Sequence, residues 1–162
     1  MKILENYYDI EESYEKNLGV KPVKVHIEKI EDVFSGHLLE VLLDFKNREC
    51  APKECHYNTG MSLTNNAVAK KYGYTLSFCE GLIYGWVQHC WTCVRNDKTG
   101  EVHYVDFTLN EEGEATLFCE WKQNEIFRLF DKAGYAFIPF RDYWEYKKSV
   151  RDIIRKKYPN IA

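Results

Sequence analysis

Residues 85–109 read GWVQHCWTCVRNDKTGEVHYVDFTL. Two runs rich in aromatic and β-branched residues flank Asn96 to Gly100, where polar residues and a glycine carry hairpin-turn chemistry. The spacing predicts strands over residues 85–94 and 102–109. With 97–100 as a four-residue loop, paired positions sum to 197, so Trp91 faces Asp106 and His89 faces Thr108. His89 and Asp106 are then diagonal neighbours on one face, about 5–8 Å apart between Cβ atoms. A two-residue loop gives a sum of 195 and sets His89 directly opposite Asp106. Both registers join imidazole to carboxylate, whereas an even sum separates their faces.

Working outward, residues 74–121 keep the strand composition, with turn signals at Glu80-Gly81, 96–100 and 110–113, and predict four or five antiparallel strands. Residues 23–30 alternate Val23, Val25 and Ile27 with Lys24, His26 and Glu28, a half-buried strand pattern. Residues 38–45 suit strand or helix. Residues 53–72 place Cys55, Thr59, Leu63 and Ala67 on one helical stripe, with Pro52 in the first turn and Gly73 just past the end. Gly60 inside that stripe costs about 1 kcal/mol against alanine, so the helix bends or begins late. Further helices are expected around residues 9–17, ended by Gly19, and over 124–133 and 141–157. This order predicts one α+β domain over residues 1–162, with a central antiparallel sheet and a site-bearing core at about 50–122.

Composition excludes several function classes. The chain has 162 residues, 45% hydrophobic and 29% charged, and a net charge of −3. Burial on that scale opposes disorder, and the charge supplies no positive field for nucleic acid. Acidic residues crowd the N-terminus (Glu5, Asp9, Glu11, Glu12, Glu15) and basic residues the C-terminus (Lys147, Lys148, Arg151, Arg155, Lys156, Lys157), read as two solvated helix faces. The first 25 residues lack the pattern of a secretory leader. No run approaches the roughly 18 apolar residues that span a bilayer. These features point to a cytoplasmic protein with neither membrane nor nucleic acid as partner. Its six cysteines are then expected as thiols.

Cys55 opens the predicted helix, where unpaired first-turn N–H groups and the macrodipole favour thiolate and can receive an oxyanion. Asp106 beside His89 fixes the ring tautomer and frees its other nitrogen to take a thiol proton. The expected catalytic set is Cys55 as nucleophile, His89 as acid and base, and Asp106 as orienting group. Asn58 suits an oxyanion donor or a first-turn cap. Glu80 reads as a turn carboxylate that can line the cleft, and Trp91 as a packing residue that can shield the His–Asp pair. Cys50, Cys55, Cys90 and Cys93 could supply four thiolates to zinc. However, Cys90 and Cys93 on one strand point to opposite faces, so no metal and no cofactor is expected.

A helix-initial Cys55 with Asn58 three residues on, Glu80-Gly81, His89-x-Trp91, and Asp106 followed by Thr108 resemble the papain-like cysteine hydrolases. The closest likeness is to their transglutaminase-like branch, in its small bacterial or phage type. The resemblance implies a papain-like fold with the nucleophile at the N-terminus of a packed helix. It also implies thiolate attack on an amide or ester carbonyl, a thioester intermediate, and water or an amine as acceptor. The substrate is then a peptide, a protein or a small amide. The competing expectations are a catalytically silent interaction module and a zinc-stabilised binding module.

Overall fold

The computed structural model describes residue 12, residues 15–134 and residues 138–161. Strand β1 (Val23–Glu28) leads into α1 (Ile30–Val33) and α2 (Gly36–Glu49). Helix α3 (Cys55–Ser62) continues through a 3-10 turn, Leu63–Asn65, into α4 (Asn66–Ala69) and a second 3-10 turn, Lys70–Tyr72. Strands β2 (Tyr74–Ile83), β3 (Val87–Asn96), β4 (Val102–Val105) and β5 (Gly113–Trp121) follow, then α5 (Gln123–Ala133), a 3-10 turn (Tyr143–Glu145) and α6 (Lys148–Lys157).

The strands close into a small barrel in the order β1-β4-β3-β2-β5. This corrects the expected papain-like or transglutaminase-like α+β fold with a central antiparallel sheet. The correction comes from β1. It pairs parallel with β4 through Ile27 and Tyr104, and antiparallel with β5 through Val23–Leu117 to Ile27–Gly113. One strand thereby covers both edges that an open sheet would leave unpaired.

Alternation along the strands builds two cores. Ile27, Cys79, Ile83, Trp91, Cys93 and Ala115 fill the barrel. The opposite faces of β2, β3 and β5 carry Leu76, Phe78, Cys90, Val94 and Cys119 against the helices. Glu80-Gly81 is not a turn but the middle of β2, where the pairing with β5 shifts register. The glycine is needed for close approach, since a Cβ there would lie 1.9 Å from Thr116 O and 2.6 Å from Trp91 Cη2. The true turn follows at Tyr84-Gly85, both at positive φ, 55° and 79°.

The ambiguous run at 38–45 is helical, burying Leu38, Leu42 and Phe45 on one stripe of α2. The stretch at 53–72 is broken, not continuous. Pro52 and Lys53 form a turn ahead of it, and the helix begins late, at Cys55. Gly60 lies against the Phe130 ring, and Gly73 ends the segment at φ 82°. Of the helix expected around residues 9–17, residue 12 and residues 15–18 are helical, and Gly19 donates its N–H to Glu15 O at 3.0 Å. The rest of it, with most of the acidic N-terminal run, lies outside the described residues. The last predicted helix is shortened to Lys148–Lys157. No helix among the described residues is long and apolar enough to cross a membrane.

Candidate active site

The β3–β4 hairpin turns on local chemistry. Asn96 Oδ1 accepts from the Lys98 and Thr99 N–H groups at 3.0 and 3.1 Å, and Gly100 takes φ 74°. The strands pair Thr92 with Val105 and Arg95 with Val102, the register that sums to 197. Strand β4 ends at Val105, so Asp106 is the first residue beyond it and not a mid-strand residue. Its carbonyl and Oδ1 are used in the turn. Oδ1 accepts from Thr108 N at 2.8 Å and Leu109 N at 3.3 Å, and the carbonyl accepts from Asn110 N at 2.8 Å. Oδ2 is left for His89 Nε2, at 2.6 Å. Both side chains are buried, so this charge-assisted contact is little screened.

With Nε2 engaged, Nδ1 is the ring nitrogen left for a thiol. Cys55 is close by, as the first residue of α3, with Cys90, His56 and His89 as the neighbours that act on its sulfur. The Cys90 thiol does most to hold Cys55 well below the ordinary thiol range. Burial works against it, and His56, His89 and the His89 charge add to the lowering. His89 moves the other way. Burial would depress it, but the hydrogen bond to Asp106, then contact with Cys55, raises it to about 9. Opposite shifts on these neighbouring groups favour thiolate over thiol and imidazolium over imidazole. Of the first-turn N–H groups, those of Cys55 and His56 have no intrahelical acceptor by helix geometry, and they lie beside the sulfur.

Two helices hold the Asp106 turn. Lys46 Nζ of α2 donates to Phe107 O at 3.0 Å, and the Phe107 ring packs edge-on against Phe45, with centroids 5.5 Å apart. Asn58 of α3 donates to Thr108 Oγ1 at 3.0 Å and to Ala51 O at 2.8 Å, while its Oδ1 accepts from Ala51 N at 3.0 Å. Both amide hydrogens are thus engaged. Asn58 is a buried clamp between the segment ahead of Cys55 and the segment after Asp106.

Trp91 and Glu80 do not face a cleft. Trp91 is fully buried in the barrel, next to His89 on the same face of β3, with no partner for its Nε1 among the described residues. It sits behind the His–Asp pair, inside the barrel. Glu80 is 1% exposed on the helix side. Its carboxylate accepts from Phe140 N at 2.8 Å and Arg141 N at 3.0 Å, tethering the segment ahead of α6. Burial raises Glu80 to about 8, against the lowering effect of those two N–H groups.

Two contributors escaped the sequence reading. The sequence reads Cys90 only as a strand thiol set aside as a zinc ligand, yet it is a neighbour of Cys55. Alternation held the signal, because Cys90 shares a face with Thr92, whose Oγ1 is 2.8 Å from Ser62 Oγ of α3. His56, beside Cys55 in sequence, also reaches the sulfur. Cys90 lies in the helix-side core and Cys93 inside the barrel, so the two cannot share a zinc ion. Among the described residues no group of three or more potential ligands could hold a metal.

Set against protein-family models, curated proteins and solved structures, the chain matches none.

Proposed function

We propose that the protein is a thiol-dependent acyl-transfer enzyme acting on an amide or ester carbonyl of a peptide, a protein or a small amide in the cytoplasm. One observation carries the reading: a single imidazole is hydrogen-bonded to a buried carboxylate and in reach of a thiol at a helix start. The resemblance of Cys55, His89-x-Trp91 and Asp106-x-Thr108 to papain-like hydrolases implies the same chemistry, and the proposal takes that chemistry without the fold.

In the proposed cycle the Cys55 thiolate attacks the carbonyl carbon, forming a C–S bond while the carbonyl π electrons move to oxygen. First-turn N–H groups of α3 receive that oxyanion. His89 gives its proton to the leaving nitrogen or oxygen as the bond to carbon breaks, leaving a thioester on Cys55. Neutral His89 then takes a proton from water or an amine, which attacks the thioester and expels the thiolate. Asp106 holds the ring in the tautomer that serves both transfers.

The test uses p-nitrophenyl acetate. The expected result is a stoichiometric burst of nitrophenolate with the acetyl group mapped to Cys55, lost in Cys55→Ala and His89→Ala. A burst that survives Cys55→Ala, or acetyl carried only on other residues, would refute the proposal.

A further inference from the structure

In the cycle above Cys90 exchanges no proton and forms no bond, and it serves only as the thiol beside the Cys55 sulfur. The placement follows from the packing of α3 on β3. Ser62 Oγ and Thr92 Oγ1 meet at 2.8 Å near one end of the contact. From there Cys90 lies two residues along the same strand face, about 7 Å. Cys55 lies two helical turns back, about 10 Å. The two thiols are therefore neighbours at the other end of the contact, each acting on the other.

The other four cysteines are placed differently. Cys79 and Cys93 are neighbours of each other on facing strands, but both are fully buried inside the barrel, where no oxidant reaches either first. Cys119 is on β5, beyond the Glu80 strand, with its sulfur 3.9 Å from Glu80 Oε1 and 3.3 Å from Trp121 Nε1. Two strand spacings, about 10 Å, separate β5 from β3. Cys50 precedes the turn at Pro52 and Lys53. Access also differs within the pair, because Cys55 is partly exposed and Cys90 is fully buried. A small oxidant therefore meets Cys55 first, and Cys90 meets only what Cys55 becomes.

We propose that Cys55 and Cys90 form a redox pair in which a hydroperoxide oxidises Cys55 to a sulfenic acid and Cys90 resolves it to a disulfide. This rests on the activated Cys55 of the proposed function. In the first step the Cys55 thiolate attacks the terminal peroxide oxygen. An S–O bond forms, the O–O bond breaks, and the alkoxide or hydroxide takes a proton from solvent. In the second step Cys90 sulfur attacks Cys55 sulfur. The S–S bond forms, the S–O bond breaks, and the hydroxyl leaves as water with the Cys90 proton. Two electrons from an external thiol reverse the change. The pair switches acyl transfer off under peroxide and stops Cys55 short of irreversible sulfinic acid.

The experiment treats the full chain with equimolar hydrogen peroxide, alkylates it in denaturant with N-ethylmaleimide, and maps the non-reduced digest. A Cys55–Cys90 linked peptide is expected, with alkylatable thiols falling from six to four and returning to six with dithiothreitol. In Cys90→Ala a second equivalent of peroxide is added, because sulfinic acid consumes two, and the expected end point is sulfinic acid on Cys55 that dithiothreitol does not reverse. Sulfinic acid on Cys55 of the unaltered protein without the link, or a link between any other pair, overturns the proposal. The unaltered chain alone decides this if Cys90→Ala fails to fold. A link without the nitrophenolate burst supports the redox pair and removes the acyl-transfer reading. A burst without the link removes only the redox pair.

Discussion

Replacing Asp106 with asparagine separates the two tasks of that side chain. The amide oxygen keeps the Thr108 and Leu109 N–H groups that Oδ1 accepts at 2.8 and 3.3 Å, so the turn survives. The amide nitrogen replaces Oδ2, 2.6 Å from His89 Nε2, and can only donate. His89 must then accept at Nε2, which places its remaining hydrogen on Nδ1 and removes the base that Cys55 requires. A charge-assisted hydrogen bond of about 1.5–3 kcal/mol is lost, which corresponds to about one to two pH units. The His89 titration should therefore fall from about 9 by that amount, and burial pushes in the same direction. Ring nitrogen NMR of histidine-labelled protein reads both the titration and the tautomer.

The sign of the stability change follows from the same shift. His89 is raised in the fold from 6.5 to about 9, so its contribution is full below 6.5 and is lost as the pH rises through 9. Urea unfolding of Asp106→Asn should show a deficit of about 2 kcal/mol near pH 6 that shrinks near pH 10. An unmoved His89 titration, or a deficit equal at both pH values, refutes the reasoning.

Two further outcomes test the surrounding fold. Glu80 is raised from 4.5 to about 8 chiefly by burial, so its contribution is full below 4.5 and declines as the pH rises through 8, by about 5 kcal/mol at most. Glu80→Gln should flatten the fall of the urea midpoint between pH 5 and 8, and equal slopes in both proteins would contradict this. Gly81→Ala sets a Cβ 1.9 Å from the Thr116 carbonyl oxygen, and a loss of about 3 kcal/mol or more is expected by thermal unfolding. An unchanged midpoint would contradict that packing.

The sequence was most informative where the cause is local. The Asn96 to Gly100 turn carries its own hydrogen bonds and positive φ, so the meeting of His89 and Asp106 was legible in either of the two registers the turn left open, and the structure adopts the one that sums to 197. Closure of the barrel was not legible, because β1 reaches partners about 75 to 95 residues away, and its alternation shows a half-buried strand without naming a neighbour. Gly81 was misread for the same reason. Glycine usually marks a turn, whereas here it answers to the Thr116 backbone and the Trp91 ring. Glu80, read as part of that turn, has its partners 60 residues on. Cys90 was legible as a strand residue, and only the docking of α3 on β3 turns it toward Cys55.

Cys50 and Cys55 give the central claim an internal control, since both are partly exposed. Burial pushes Cys50 up to about 11, whereas the neighbouring Cys90, with His56 and His89, holds Cys55 far below its ordinary value. Limiting iodoacetamide at pH 6, followed by peptide mapping, compares them directly. The account predicts alkylation of Cys55 at least about tenfold faster than of Cys50 or any buried thiol. Cys50 reacting as fast as Cys55 would contradict it.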